Sequence, residues 1–185
     1  MSTVFKELLP DEKANELLAI GKIETLKKGD YFVRAGATPK KIGFIKKGLF
    51  RYVYINSLGK QFTKGIILEN QFIASYSAMI SNEPSFFFIE ALEDSEVFSI
   101  PYNKWLSLVD ADPFWMRFLL KLVEKGFITK EKRERELLLL NAETRYVNFL
   151  KEYPSIEYRI HQTIVASYLG IQPESLSRIR KKIAT

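Results

Sequence analysis

Apolar and polar positions follow two different periods along the chain. From Lys22 to about Pro101 the apolar residues come in short runs that alternate with polar ones, most clearly between Gly48 and Ser57. Glycine-containing turns separate the runs, as at Lys27–Asp30 and Ser57–Lys60. Several short strands at close spacing, bounded by turn signals, are typical of a sandwich or barrel. We therefore predict a β domain in this part of the chain.

A short helix is predicted ahead of this β domain. Pro10–Lys13 has the composition of a helix start, and Ala14, Leu17 and Leu18 would form its buried stripe. Gly21 follows at the position of a C-terminal cap.

Helical periodicity returns after the β domain. Asp112 is a good N-cap and Pro113 suits the first position of a helix that would run to about Leu140. Asn141 would cap a further helix, and Pro154 would end it. The predicted organisation is a β domain over residues 1–111, a long connecting helix over 112–140 and a small helical domain over 141–185.

The long helix has two interpretations. In the first, the helix caps the β domain and its charged half, residues 130–136, lies in solvent. In the second, the helix pairs with its copy in another chain about a two-fold axis. Its apolar stripe consists of Trp115, Phe118, Leu119 and Leu122, widened by Val123 and Phe127. A helix of this length cannot bury that stripe entirely against one small domain, so we favour the homodimer. Gly126 costs about 1 kcal/mol relative to alanine and is compatible with a close helix–helix contact.

The stretch from Ile164 to Lys182 predicts two short helices joined by a tight turn. Gly170 lies where the chain must reverse with positive φ, and Pro173 suits the first position of the second helix. Apolar contacts between the helices would come from Val165, Leu169, Leu176 and Ile179. The predicted DNA-binding residues are Gln172, Glu174, Ser175, Arg178, Arg180 and Lys181. Their side chains are of the types that contact base edges and phosphates, so the pattern indicates a helix-turn-helix rather than a plain helical hairpin.

Composition narrows the function classes. The 185 residues carry a net charge of +6 and include no cysteine and one histidine, His161. Disulfides, thiolate and multi-histidine metal sites and iron–sulfur clusters are therefore excluded, and a reducing cytoplasm is expected. No apolar run is long enough to span a membrane, and no signal peptide or catalytic motif is recognisable, so we predict neither a membrane protein nor an enzyme.

The layout and these residues resemble the Crp/Fnr family of transcriptional regulators. The most specific match ends in Glu174–Ile179, and Glu69–Ile73, Ile89–Val97 and Leu140–Tyr146 match other family segments. The resemblance implies an α+β fold with an N-terminal double-stranded β-helix (jelly-roll) like that of cyclic nucleotide-binding domains, a dimerisation helix and a winged-helix-like helix-turn-helix domain. Strands of a wing would have to precede the second helix. The implied partners are a palindromic double-stranded DNA site, a second copy of the chain and RNA polymerase.

The family's ligand pocket is altered in this sequence. Members that bind cyclic AMP carry a Gly-Glu pair and, further along, Arg-Ser; here the matching residues are Ala74-Ser75 and Ser85-Phe86. A buried phosphate needs a paired cation or several N–H donors, and residues 75–88 contain no arginine or lysine. We predict that cyclic AMP does not bind in the usual way. An unidentified small effector and a purely structural roll remain open; the candidate ligand residues are Ser75, Tyr76, Ser85 and Phe86.

The predicted function is that of a dimeric, sequence-specific DNA-binding regulator. The resemblance places Glu174 and Arg178 at base-reading positions, with Arg178 on a guanine edge and Glu174 on a cytosine amino group. The alternative is a β-roll interaction module whose helical tail binds a protein partner.

Overall fold

The structure is a computed structural model that describes Phe5 and residues 8–184. Helix α1 (Asp11–Ile20) is followed by strands and then by helices. The strands are β1 (Lys22–Leu26), β2 (Tyr31–Val33), β3 (Lys41–Lys47), β4 (Phe50–Ile55), β5 (Gln61–Ile67), β6 (Phe72–Ile73), β7 (Phe88–Ala91) and β8 (Ser95–Pro101). The later helices are α2 (Tyr76–Ser81), α3 (Tyr102–Ala111), α4 (Pro113–Leu139), α5 (Ala142–Glu152), α6 (Gln162–Leu169) and α7 (Pro173–Ala184).

The strands form two four-stranded sheets, in the orders β1-β8-β3-β6 and β2-β7-β4-β5. Strand β8 lies between β1 and β3 and is antiparallel to both, with Phe98 opposite Ile23 and Phe44. Side chains from both sheets, among them Ile45, Phe50 and Ile89, form a fully buried cluster. The predicted α+β fold with a β-roll is confirmed.

The chain folds into two compact units. One extends to Tyr52 and continues over Ile66–Leu119; the other comprises Val53–Gly65 and the chain from Leu120 onward. Most of the β4–β5 hairpin therefore groups with the C-terminal helices. The boundaries predicted at residues 111/112 and 140/141 remain predictions.

Helix α3 corrects the sequence prediction, which placed no helix between the end of the β domain at about Pro101 and Asp112. Its buried residues Trp105 and Val109 are four positions apart, and the Trp105 ring packs against Trp115 with centroids 5.6 Å apart. The predicted N-cap is present, since Asp112 Oδ1 accepts a hydrogen bond from the Phe114 amide at 2.8 Å.

Gly21 follows the last residue of α1, as predicted, but for a different reason. Its φ of −118° is extended, so no left-handed conformation requires glycine here. A Cβ on Gly21 would lie 2.4 Å from Cε1 of Phe98. Glycine is therefore needed because the chain passes so close to β8. In the stripe of α1, Ala14 and Leu17 are buried and Leu18 is half-buried.

Candidate nucleic-acid interface

Helices α6 and α7 have the local geometry of a helix-turn-helix. His161 Nδ1 caps α6 by accepting from the Thr163 amide at 3.4 Å. Gly170 ends α6 with φ of 68°, a left-handed conformation in which a side chain would be strained. Pro173 is the first residue of α7, where its missing N–H costs nothing. The predicted turn at Gly170 and helix start at Pro173 are confirmed.

The inner face of α7 packs on α6. Leu176 is fully buried, Val165 and Leu169 are nearly so, and Ile179 is half-buried. Helix α5 completes this small core, because the Phe149 ring lies 5.3 Å from that of Tyr168. The outer face of α7 is thus held on a packed support.

That outer face carries Glu174, Arg178 and Lys181 at spacings of four and three residues. At 3.6 residues per turn the three lie within about 60° of one another around the helix axis. All three are exposed, as is Gln172 just ahead of the helix. Arg178 Nη2 lies 3.5 Å from Ser175 Oγ, a long contact that leaves most guanidinium donors facing solvent.

Arg180 differs from the other predicted DNA-binding residues. Its Nη1 pairs with Glu157 Oε1 at 3.3 Å, and the same carboxylate oxygen accepts from the Tyr146 hydroxyl at 2.7 Å. Burial and this hydrogen bond raise the pKa of Tyr146 to about 12, so the tyrosine remains a donor. Arg180 thus joins α7 to its own domain, while Lys182 pairs with Glu143 at 2.6 Å.

Ser177 was not among the predicted residues although it is exposed on the outer face of α7, between the positions of Glu174 and Lys181. Helical spacing alone was sufficient to identify it, since it follows Glu174 by three residues and precedes Lys181 by four.

Strand β5 of the β4–β5 hairpin contacts α6 within the second compact unit. Ser167 Oγ accepts from the Thr63 amide at 2.8 Å and donates to the Gln61 carbonyl at 3.1 Å. Residues 142–184 contain no strand, so the strands that contact the helix-turn-helix come from this earlier hairpin. No sequence pattern connects residues this far apart.

An arginine on α4 joins the same contact. Arg133 Nη2 donates to the Thr63 carbonyl at 3.2 Å and to the Tyr168 carbonyl, and its guanidinium lies 3.7 Å from the centroid of the Tyr168 ring. A second arginine, Arg145, donates to the Leu169 carbonyl at the end of α6. Two arginines therefore fix the carboxyl end of the helix that supports α7.

The predicted ligand residues of the roll differ widely in exposure. Ser75 and Ser85 are fully or nearly fully buried, and their hydroxyl oxygens are hydrogen-bonded to each other at 2.9 Å. Ser85 also donates to the Phe87 carbonyl at 2.8 Å. Tyr76 is half-buried at the start of α2, whereas the Phe86 side chain is 82% exposed.

A buried arginine in the roll forms an ion pair with a glutamate. Arg51 is 4% exposed, and its Nε and Nη2 lie 2.8 and 2.6 Å from Glu90 Oε2. Nearby, the Tyr52 hydroxyl accepts from the Ala74 amide at 3.4 Å, and burial raises the pKa of Tyr52 to about 12. The Arg51 guanidinium and the Glu90 carboxylate neutralise each other.

Helix α4 has two apolar stripes rather than the single one predicted. Trp115 is fully buried and Phe118, Leu119 and Leu122 are half-buried. The other stripe is exposed, and Val123 and Phe127 belong to it. Its members are Met116, Leu120, Val123 and Phe127, between 42% and 64% exposed. A Cβ on Gly126 would meet nothing within 4 Å, so the glycine leaves open space beside this stripe.

Membrane-spanning helices and metal-binding groups were sought in the part of the chain that the structure describes. None of its helices is both long and apolar enough to span a bilayer. Nor do its histidine, aspartate and glutamate side chains come together in groups of three or more that would hold a metal ion.

Comparison with known proteins agrees with this architecture. The family model of the cyclic nucleotide-binding domain matches residues 23–112. The structure of FixK2 from Bradyrhizobium japonicum is 16% identical in sequence with a TM-score of 0.79, and the match covers 89% of this chain and 85% of FixK2. The c-di-GMP responsive global regulator CLP from Xanthomonas campestris is 15% identical with a TM-score of 0.77, and the match covers 95% of this chain and 92% of CLP. A CooA mutant from Carboxydothermus hydrogenoformans is 16% identical with a TM-score of 0.77, and the match covers 100% of this chain and 85% of CooA. No curated protein matches the chain in sequence.

Proposed function

We propose that this chain, which has the fold of the Crp/Fnr transcriptional regulators, is a dimeric sequence-specific DNA-binding regulator whose β-roll does not use cyclic AMP. The predicted resemblance to that family is confirmed by the domain match and by the shared fold. Acting on bacterial DNA, such a regulator works in the cytoplasm, and RNA polymerase is its proposed protein partner.

The observation that carries the proposal is the outer face of α7. Glu174, Arg178 and Lys181 project together from a helix whose opposite face is packed on α6. A helix of this kind fits the major groove, where arginine pairs bidentately with guanine and glutamate accepts from the cytosine amino group. Lys181 supplies a phosphate contact. Arg180 is left out of the reading set because Glu157 holds it.

The exposed stripe of α4 supports the dimer. Leu120, Val123 and Phe127 recur at spacings of three and four residues, which is the pattern of a helix–helix seam. A two-fold axis along this helix would present two copies of α7 about 34 Å apart, one turn of duplex, to a palindromic site.

The buried serine pair supports the proposal that cyclic AMP is not the effector. Ser75 and Ser85 bond to each other where family members that bind cyclic AMP place a glutamate and an arginine. A phosphate entering this place would have to break that bond without gaining a cation, and burying an unpaired charge costs several kcal/mol. Isothermal titration with cyclic AMP is expected to show no heat of binding. Micromolar binding that cyclic GMP displaces would contradict this part of the proposal.

A mobility-shift experiment separates DNA binding from the alternative of a protein-docking tail. Genomic fragments are mixed with the full chain at two salt concentrations. Release of counterions predicts that affinity falls steeply with salt and that a subset of fragments is retained. Absence of any shift at low salt would refute the DNA proposal.

A further inference from the structure

A groove on the surface of the first compact unit is lined by an excess of basic side chains. Its volume is about 680 Å³, and it lies between the end of α1, strands β1 and β2, and the start of α3. The basic lining residues are Lys22, Arg34, Lys40, Lys41 and Lys104, against a single carboxylate, Glu24.

Most of these cations have no acidic partner. Lys41 Nζ pairs with Glu24 Oε2 at 2.5 Å, which neutralises both. Lys22, Arg34, Lys40 and Lys104 are exposed, and no carboxylate in the described ranges lies within ion-pair distance of them. Cations gathered in a concave site create a positive potential that attracts anions.

The walls of the groove are apolar and aromatic. Phe32, Val33 and Pro39 are buried side chains that line it. Lys41 Nζ lies 4.4 Å from the Phe32 ring centroid, and the Arg34 guanidinium lies 4.7 Å from that of Tyr31. Apolar walls with a few convergent polar groups, in a volume of roughly 300–1,000 Å³, are typical of small-molecule sites.

We propose that this groove binds a phosphorylated small molecule that carries a flat ring, as a nucleoside polyphosphate does. The free cations Lys22, Lys40 and Lys104 take the phosphates, and the ligand ring stacks on the outer face of the Arg34 guanidinium, whose inner face covers Tyr31. Neither Ser75 nor Ser85 lines the groove, so the site differs from the family's cyclic nucleotide position. An acidic protein segment would match the charge but would leave the aromatic wall unused.

Isothermal titration of the full chain with adenosine triphosphate and with inorganic tripolyphosphate tests the proposal without DNA. A failure here therefore leaves the DNA-binding proposal unaffected. The groove variant is Lys40→Glu/Lys104→Glu. The matched control is Lys28→Glu/Lys47→Glu, which makes the same charge change at exposed lysines outside the groove.

Three results are expected together. The unaltered chain binds both probes, and binds the nucleotide more tightly than the tripolyphosphate. The groove variant weakens binding by about tenfold or more, because charge-assisted hydrogen bonds are lost. The control changes affinity by less than about fivefold, as expected for distant exposed charges.

Four results would overturn the proposal. They are no binding of either probe at millimolar concentration, equal losses in both double variants, tripolyphosphate binding as tightly as the nucleotide, and preferential binding of an oligoglutamate peptide. The last would assign the groove to an acidic protein segment instead.

Discussion

Replacing Arg133 with methionine tests how the β4–β5 hairpin and α4 hold the helix-turn-helix. Methionine keeps much of the apolar stem but removes the guanidinium, which donates to the carbonyls of Thr63 and Tyr168 and stacks on the Tyr168 ring. Hydrogen bonds from a charged group contribute about 1.5–3 kcal/mol each, and a cation–π contact about 0.5–2 kcal/mol. Because Arg133 is only half-buried, we expect the second unit to lose about 2–4 kcal/mol rather than the full sum.

Hydrogen exchange measured by NMR is the suitable assay. The amides of α6 and of Thr63 should exchange faster, by about thirtyfold for each 2 kcal/mol lost. The two tryptophans, Trp105 and Trp115, both lie in the first unit, so their fluorescence during urea unfolding gives an internal reference.

The matched control is Arg135→Met on the same helix. Arg135 is 59% exposed and its contact with Glu131 is 3.9 Å long, so the loss should stay below about 0.5 kcal/mol. Equal exchange rates for the two variants would refute the assigned role of Arg133.

Ser167→Ala removes the neighbouring pair of hydrogen bonds and should lower the stability of the second unit by about 1–2 kcal/mol. Combined with Arg133→Met, the total loss should be smaller than the sum of the two single losses, because both variants remove a hydrogen bond of Thr63.

Three further predictions concern the rest of the chain. Phe127→Glu places a charge in the exposed α4 stripe, so the mass measured by light scattering should fall from twice to once that of the 21.5 kDa chain. Lys125→Glu, on the opposite face of the helix, should leave the dimer intact. An unchanged mass in both variants would argue against the helix–helix seam. Lys13 donates a hydrogen bond to Asp112 and lowers the pKa of that carboxyl, so this pair should stabilise the fold above about pH 4 and less as acid protonates Asp112. Lys13→Met should therefore flatten the acid dependence of the unfolding free energy measured in urea titrations. An equally steep loss in the variant would contradict the assignment. Ser85→Ala should lower the free energy of unfolding in urea by about 1–3 kcal/mol. The loss should exceed that of Ser75→Ala, because Ser85 also donates to a backbone carbonyl. The reverse order would contradict the hydrogen-bond assignment.

Features set by neighbouring residues were predictable from the sequence. The side chains of Asp112 and Asn141 cap their helices and Gly170 has positive φ, because each of these depends on the chemistry of one residue and the next few. The outer face of α7 follows from helical spacing in the same way.

Features that join distant residues were not predictable. The hairpin contact pairs Thr63 with Ser167, and the partner of Arg180 is Glu157 on a separate segment. Helix α3 was missed because its apolar positions continue directly from the last strand, and only its packing on Trp115 reveals its inner face. The role of Gly21 likewise depends on Phe98, which is remote in sequence.

The central claim is that the outer face of α7 reads DNA sequence. Duplexes selected from a random pool by the full chain should contain two half-sites related by a palindrome, with centres about 34 Å apart. Against the selected site and its single-base variants, Arg178→Ala should lose about 1–3 kcal/mol of binding free energy and relax preference at one base pair in each half-site. Lys181→Ala should weaken all duplexes alike and reduce the salt dependence. If Arg178→Ala leaves base preference unchanged, the claim is contradicted.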